Sequence, residues 1–279
     1  MRASGLVLAF FLMLAVLSKP AEAARADAVH AYLNQTMVEP VPLHAAAAGG
    51  GVKGWLSLRA IAWYPKLRGT ANEDGGGDFD LDGDLGLGDN ELVFVPQLTV
   101  DFWIFGFRLD YFNVKFEGDG RVQGTFTFGD RTFDVDEATN SELELTNLRS
   151  LGTISFVNTD VVRLAFILGF NYYEYKARIT GEVNGTANSN GTIPFPVVGL
   201  LLQIRIGDFL IEAEGSGFYI DYNDIEATAG DFTLSAAYRF LKVGEVRVGY
   251  RYILIDGTID ETNLDVRLDG FFIGIGVTF

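Results

Sequence analysis

Two patterns in this chain are built from residues that could do chemistry, and both use carboxylates. The first is Asp78-x-Asp80-x-Asp82-Gly83-x5-Asp89, close to a Ca²⁺-binding loop but with Asp89 where a Glu is usual. Hard oxygen ligands at every second position suit a divalent cation. Phe79, Leu81, Leu85 and Leu87 keep a period of two between them, so an acidic strand extension is the better expectation. Ca²⁺ or another divalent cation at these acidic loops stands as the alternative. The second pattern is Arg59, Asp101, Arg108, Asp110, Arg149, Arg163, Arg205, Glu212, Glu214, Arg239, Glu245, Arg247 and Arg251, with no Lys among them. The guanidinium fork satisfies carboxylates two bonds at a time, so such a set suits a buried ion-pair network. A structural plug is one reading. An Arg-lined, anion-preferring constriction is the other.

Catalysis finds little support. His30 and His44 are the only imidazoles, and both precede the patterned part of the chain. A Ser-His or Asp-His device therefore lacks its base. A carboxylate-only mechanism remains open, but the chain is not expected to be an enzyme or to carry a cofactor. Cys is absent, so there are no disulfides and no thiolate metal sites.

The elements that must position these charges are strands. From Val52 onward apolar and small or polar residues alternate. Phe271, Ile273, Ile275, Val277 and Phe279 take one face of the last segment, and Gly270, Phe272, Gly274, Gly276 and Thr278 take the other. Ten strands are expected, near 52–64, 91–103, 105–117, 141–156, 161–176, 193–206, 209–222, 227–240, 244–256 and 264–279. The predicted fold class is all-β: an antiparallel up-and-down transmembrane barrel of ten strands, with eight or twelve as alternatives. Its bulky outer face covers the ~9–11 residues a tilted strand needs to cross a bilayer. Turn signals at Gly129-Asp130 and Asn184-Gly185 predict that strands continue upward as an outer crown. They would set residue 106 against 153 and 163 against 206, and a turn near Gly75–Gly77 would set 54 against about 101.

In such a barrel the charged set falls in the lower lumen. The same parity higher up points Ile61, Trp63, Val93, Val95, Phe112, Val114, Phe116, Tyr173, Phe218 and Ile220 inward. They would line a cavity for a small hydrophobic molecule, or fill the interior themselves.

Address and charge fit this picture. Residues 1–23 read as a signal peptide: a basic start, an apolar run and Ala21-Glu22-Ala23 before the cut. Residues 24–51 read as a periplasmic segment and linker, and 52–279 as the barrel. The net charge is -16 although 48% of residues are hydrophobic. Most acids cluster in 73–91, 117–144, 221–231 and 256–269, the expected outer rim. A surface this acidic repels nucleic acid. Divalent cations could bridge it to anionic lipopolysaccharide.

With its leader, alternating strands and terminal Phe, the sequence resembles small bacterial outer-membrane β-barrel proteins of the OmpA/OmpW-like kind. Phe271, Ile275, Val277 and Phe279 are similar to the C-terminal signal read by the barrel assembly machinery. The resemblance implies residence in the outer membrane and contact with its lipid and lipopolysaccharide. Function is expected to be the binding or passage of small, hydrophobic molecules through a narrow lumen. The alternatives are a plugged structural or surface-interaction barrel and, third, a lipid-modifying barrel enzyme.

Overall fold

A computed structural model describes residues 55–72, 77–222, 225–241, 243–259 and 262–279. The expected signal peptide and linker, residues 1–51, lie outside the described residues. Thirteen strands follow in chain order: β1 (Trp55–Asn72), β2 (Phe79–Asp80), β3 (Val93–Phe102), β4 (Phe105–Arg121), β5 (Phe126–Phe128), β6 (Arg131–Phe133), β7 (Ala138–Asn158), β8 (Val162–Gly181), β9 (Gly185–Ile206), β10 (Phe209–Tyr222), β11 (Ile225–Phe240), β12 (Gly244–Ile259) and β13 (Thr262–Thr278). Ten of them form a closed antiparallel barrel, because β13 pairs back onto β1 from Ser57↔Thr278 to Asn72↔Asn263. β2 adds two residues to the sheet, and β5–β6 form a separate hairpin.

The alternation in sequence becomes inside and outside. On β10, Glu212 and Glu214 point inward and are buried, while Phe209, Ile211 and Tyr219 are exposed. Exposed Phe102, Phe156, Phe240 and Phe279 ring the lower end. Tyr64, Tyr111, Tyr172 and Tyr219 ring the upper side of the apolar band. Aromatic rings at both borders of such a band are what a bilayer interface selects. Apolar side chains that would be costly in water are thus the surface that lipid solvates.

Apart from β3, the barrel strands run past this band into a crown, so connections that read as long in the sequence are mostly paired backbone. The Gly129-Asp130 turn forms as expected: Phe128 faces Arg131, Gly106 faces Thr153, and Gly129 takes φ 60. Trp55, not residue 54, faces Asp101. The Asn184-Gly185 expectation differs in register. Gly181 faces Gly185 across a loop of Glu182, Val183 and Asn184, and Arg163 faces Gln203. Gly185 carries the positive φ of 81 that ends a three-residue hairpin loop, which competes with the two-residue type I′ turn.

Two pairings stop early, each beside proline. The β3–β4 ladder ends at Gln97↔Asp110, next to Pro96. There segment 81–87 lies against β4, so close that a Cβ on Gly118 or Gly120 would collide with the backbone of Gly86 or Asp84. The β9–β10 ladder ends at Gly217↔Val198. Above it β9 stays paired only to β8 and β10 only to β11. The β8–β9 ladder runs through Phe170↔Pro196 and Tyr172↔Pro194. The N–H groups those prolines lack are therefore the ones that would have faced β10.

Candidate functional site: the barrel interior

The interior has three levels. At the lower mouth, Arg163 on β8 pairs with Asp101 on β3 at 2.8 Å and donates to Ser155 and Thr153. Arg205 and Arg239, expected in the charged set, stand outside it. Arg205 is exposed, and Arg239 Nε is buried without a partner.

Above the mouth the remaining expected residues form one connected network. Arg59 meets Glu245 at 3.1 Å, and Glu245 meets Arg247 at 3.0 Å. Arg247 meets Glu212 at 2.9 Å, and Glu212 meets Arg108 at 3.2 Å. Arg108 also grips Glu214, which meets Arg149 at 2.9 Å. Arg149 closes on Asp110 at 2.8 Å and on Asp231 at 2.9 Å, and Asp231 holds Arg251 at 2.6 Å. Six strands contribute, and every member is nearly inaccessible to solvent. Five guanidinium groups face five carboxylates, so the connected set is neutral rather than basic. Neutrality matters because an unpaired charge at this depth costs several kcal/mol.

Asp231 is the member that sequence reasoning missed, having been counted with the acidic rim. Its parity with Ser235 and Arg239 on β11 was the available signal. Neutral partners were missed too. Gln97 and Thr99 accept from Arg59 Nη1 at 3.0 and 3.1 Å, and Ser235 accepts from Arg247 Nη1 at 2.8 Å. Gln203 donates to Glu212 at 2.6 Å.

The third level is apolar and filled. Trp63 packs edge-on to Phe112 at 5.5 Å, Phe112 meets Tyr173, Tyr173 stacks on Phe195 at 5.6 Å, and Phe195 stacks on Phe218 at 6.1 Å. Arg251 lies over Trp63 and Phe112, 5.3 and 5.4 Å from the ring centres, joining the network to the aromatic layer. Ile61, Val93, Val95, Val114 and Phe116 are buried as expected, while Ile220 and Phe218 are half-buried. They do not enclose the expected ligand cavity. Phe79, Leu81, Leu85 and Leu87 from segment 77–92, and Phe126, Phe128 and Phe133 from the β5–β6 hairpin, occupy that space. A cavity of about 30 Å³ lies between Trp63 and the ion network, where Arg108, Asp110 and Arg251 line it. That is room for roughly two waters.

The Ca²⁺-like motif folds into something else. β2 stops after Asp80, and 81–85 turn back on themselves rather than extending a strand. Asp80 Oδ1 accepts from the N–H groups of Asp82 and Gly83. Lys66 pairs with Asp82 at 3.1 Å, Asn72 donates to Asp78, and Asp89 is exposed. Asp84, outside the motif, is the buried one: it accepts from the N–H of Asp80 at 2.8 Å and of Gln123 at 2.7 Å. Asp80 and Asp84 cap turns, and among the described residues no three metal-ligating side chains converge.

Outside the band, Glu137 clasps two crown loops. It accepts from the backbone N–H of Val183, Asn184 and Asp134 and from the Asn184 amide. Burial pushes this carboxyl upward, but the Asn184 and Val183 donors prevail and hold it below the usual carboxylate range. The expected assembly residues Phe271, Ile275, Val277 and Phe279 all face lipid along the β13–β1 closure.

No protein-family model matches the chain, and no curated protein matches it. Among solved structures it is similar to the outer membrane protease OmpT of Escherichia coli, with 10% identity and a TM-score of 0.59, covering 84% of this chain and 100% of that one. The Ail protein of Yersinia pestis also aligns, with 14% identity, a TM-score of 0.37 and coverage of 81% and 99%. The toluene transporter TodX of P. putida aligns with 8% identity, a TM-score of 0.30 and coverage of 82% and 90%. At such identities the likeness is one of fold, that of outer-membrane β-barrels.

Proposed function

We propose that this integral outer-membrane barrel is a closed, non-conducting span whose extracellular crown is its working surface. One observation carries the reading: ten mutually paired charged side chains from six strands cross the lumen beneath an aromatic layer, and the cavity between Trp63 and that network holds only about 30 Å³. Purified protein in a planar bilayer should give a flat baseline at all voltages. Sustained single-channel openings that vanish with Arg108→Ser would overturn it.

The accompanying proposals have separate support. The leader sequence supports export with cleavage after Ala23, and the lipid-facing Phe279 end supports delivery by the barrel assembly machinery. The eight acids against two Arg within residues 117–144 support divalent-cation bridging to lipopolysaccharide, which a chelator would abolish. The lack of any His after residue 44 supports a non-enzymatic role.

Binding of a small hydrophobic molecule is the second reading, favoured by the aromatic character of the upper lumen. It requires Phe79, Leu85 and Phe126 to move out. Saturable binding of a fluorescent apolar probe, lost in Phe112→Asp, would support it over a sealed interior.

A further inference from the structure

We infer that the seam between β9 and β10 is a docking site for an acyl chain of an outer-leaflet lipid. Three observations converge there.

The first is depth. Backbone pairing stops at Gly217↔Val198. On β10 this point lies above Phe209, which belongs to the lower aromatic ring, and just below Tyr219, which belongs to the upper one. The seam therefore opens in the outer half of the apolar band, where the wall already meets hydrocarbon.

The second is shape. The lipid-facing positions leading to the seam are Ala213, Gly215 and Gly217 on β10 and Gly230 on β11, with Gly217 opposite Gly230. A Cβ added at Gly230 would meet nothing within 4 Å, and one at Gly215 would touch only the Phe232 ring, at 3.7 Å. Exposed Phe232, Val198 and Leu200 stand on either side. The wall here is a trough about one side chain deep. Elsewhere it bristles with Phe, Leu and Ile.

The third lies behind the seam. Asn171 Oδ1 and Ser216 Oγ are buried with no hydrogen-bond partner. Both line one crevice with Tyr173, Phe195 and Ile253, too tight to admit a water. Native interiors rarely leave such atoms unsatisfied. Together the pair can accept from and donate to a hydroxyl. That is the polar group a hydroxylated acyl chain would bring. The Phe195–Phe218 stack closes the seam from inside. No strand ladder has to break for those rings to part, because Pro194 and Pro196 removed the donors.

The test uses the full chain refolded into phosphatidylcholine vesicles containing a lipid with a diazirine on its acyl chain. After irradiation, adducts are mapped by peptide mass spectrometry. Labelling at Val198, Gly217 and Tyr219 should exceed that at Phe271 and Ile273 on the β13 wall several-fold. In Gly215→Leu/Gly230→Leu, whose Cβ atoms have room at both positions, it should fall to the level of the β13 wall. Equal labelling of both walls, or no change in the filled variant, would overturn the proposal. Heat-dependent gel mobility reports folding. If the filled variant does not fold, Pro194→Val/Pro196→Val carries the test, since restored donors should zip the seam and remove the excess labelling.

Discussion

Arg149 on β7 and Asp231 on β11 meet at 2.9 Å across the lumen, although their strands share no ladder. The contact makes opposite walls of the barrel depend on each other. Asp231→Ala would leave Arg149 and Arg251 facing each other with one carboxylate fewer. Breaking one partner of a buried set costs about 3–5 kcal/mol. Urea unfolding in lipid vesicles should show that loss. The double change Asp231→Ala/Arg251→Ala should cost less than its two single changes combined, because the members share partners.

Trp63 sits where the charged and aromatic levels join. Its indole N–H donates to the Gly270 carbonyl at 3.2 Å, and its ring receives Arg251. Trp63→Phe keeps most of the packing but removes that donor and weakens the cation–π contact. A loss of about 1–3 kcal/mol is expected in the same unfolding assay.

Glu137 gives the crown a pH dependence. Its folded-state carboxyl titrates below the unfolded one. It therefore contributes stability above the unfolded value, and that contribution fades as pH falls through the folded value. Amide hydrogen exchange at Val183 and Asn184 should accelerate in this acidic window while the barrel strands stay protected. Glu137→Ala should show fast exchange at neutral pH, because it removes the Oε1 atom that accepts both N–H groups.

Asp84 ties segment 77–92 to the crown. Asp84→Ala would orphan the N–H groups of Asp80 and Gln123 at a cost of about 1–3 kcal/mol each. Exchange at Gln123 should rise first. If these acids act as caps and not as ligands, Ca²⁺ titration calorimetry should give no heat that depends on Asp80 or Asp82.

Strand number, parity and closure were legible in the sequence because a period of two, once one face meets lipid, leaves little freedom. All ten barrel strands lie where the alternation put them, and eleven of the thirteen expected charges sit in the network or at its mouth. Three things were not legible. Register at Asn184-Gly185 depends on whether one or two residues take positive φ, which the dipeptide does not specify. The inward fold of Phe79, Leu85 and Phe126 could not be seen because parity says which way a side chain points, not what arrives from a loop to meet it. The β9–β10 seam required knowing which neighbour the Pro194 and Pro196 nitrogens face, and that follows only from the register with β8.

The neutral, water-poor network has a consequence for salinity. Exposed pairs such as Lys115–Glu142 and Lys176–Glu144 face the medium and weaken as salt shortens the reach of charge. Arg149, Asp231, Glu214 and Arg108 are shielded from mobile ions, so their attraction changes little between dilute and concentrated surroundings. A cell carrying this barrel would pass from fresh to salty water with the charges at the barrel's surface remodelled and the ion pairs inside it unaltered.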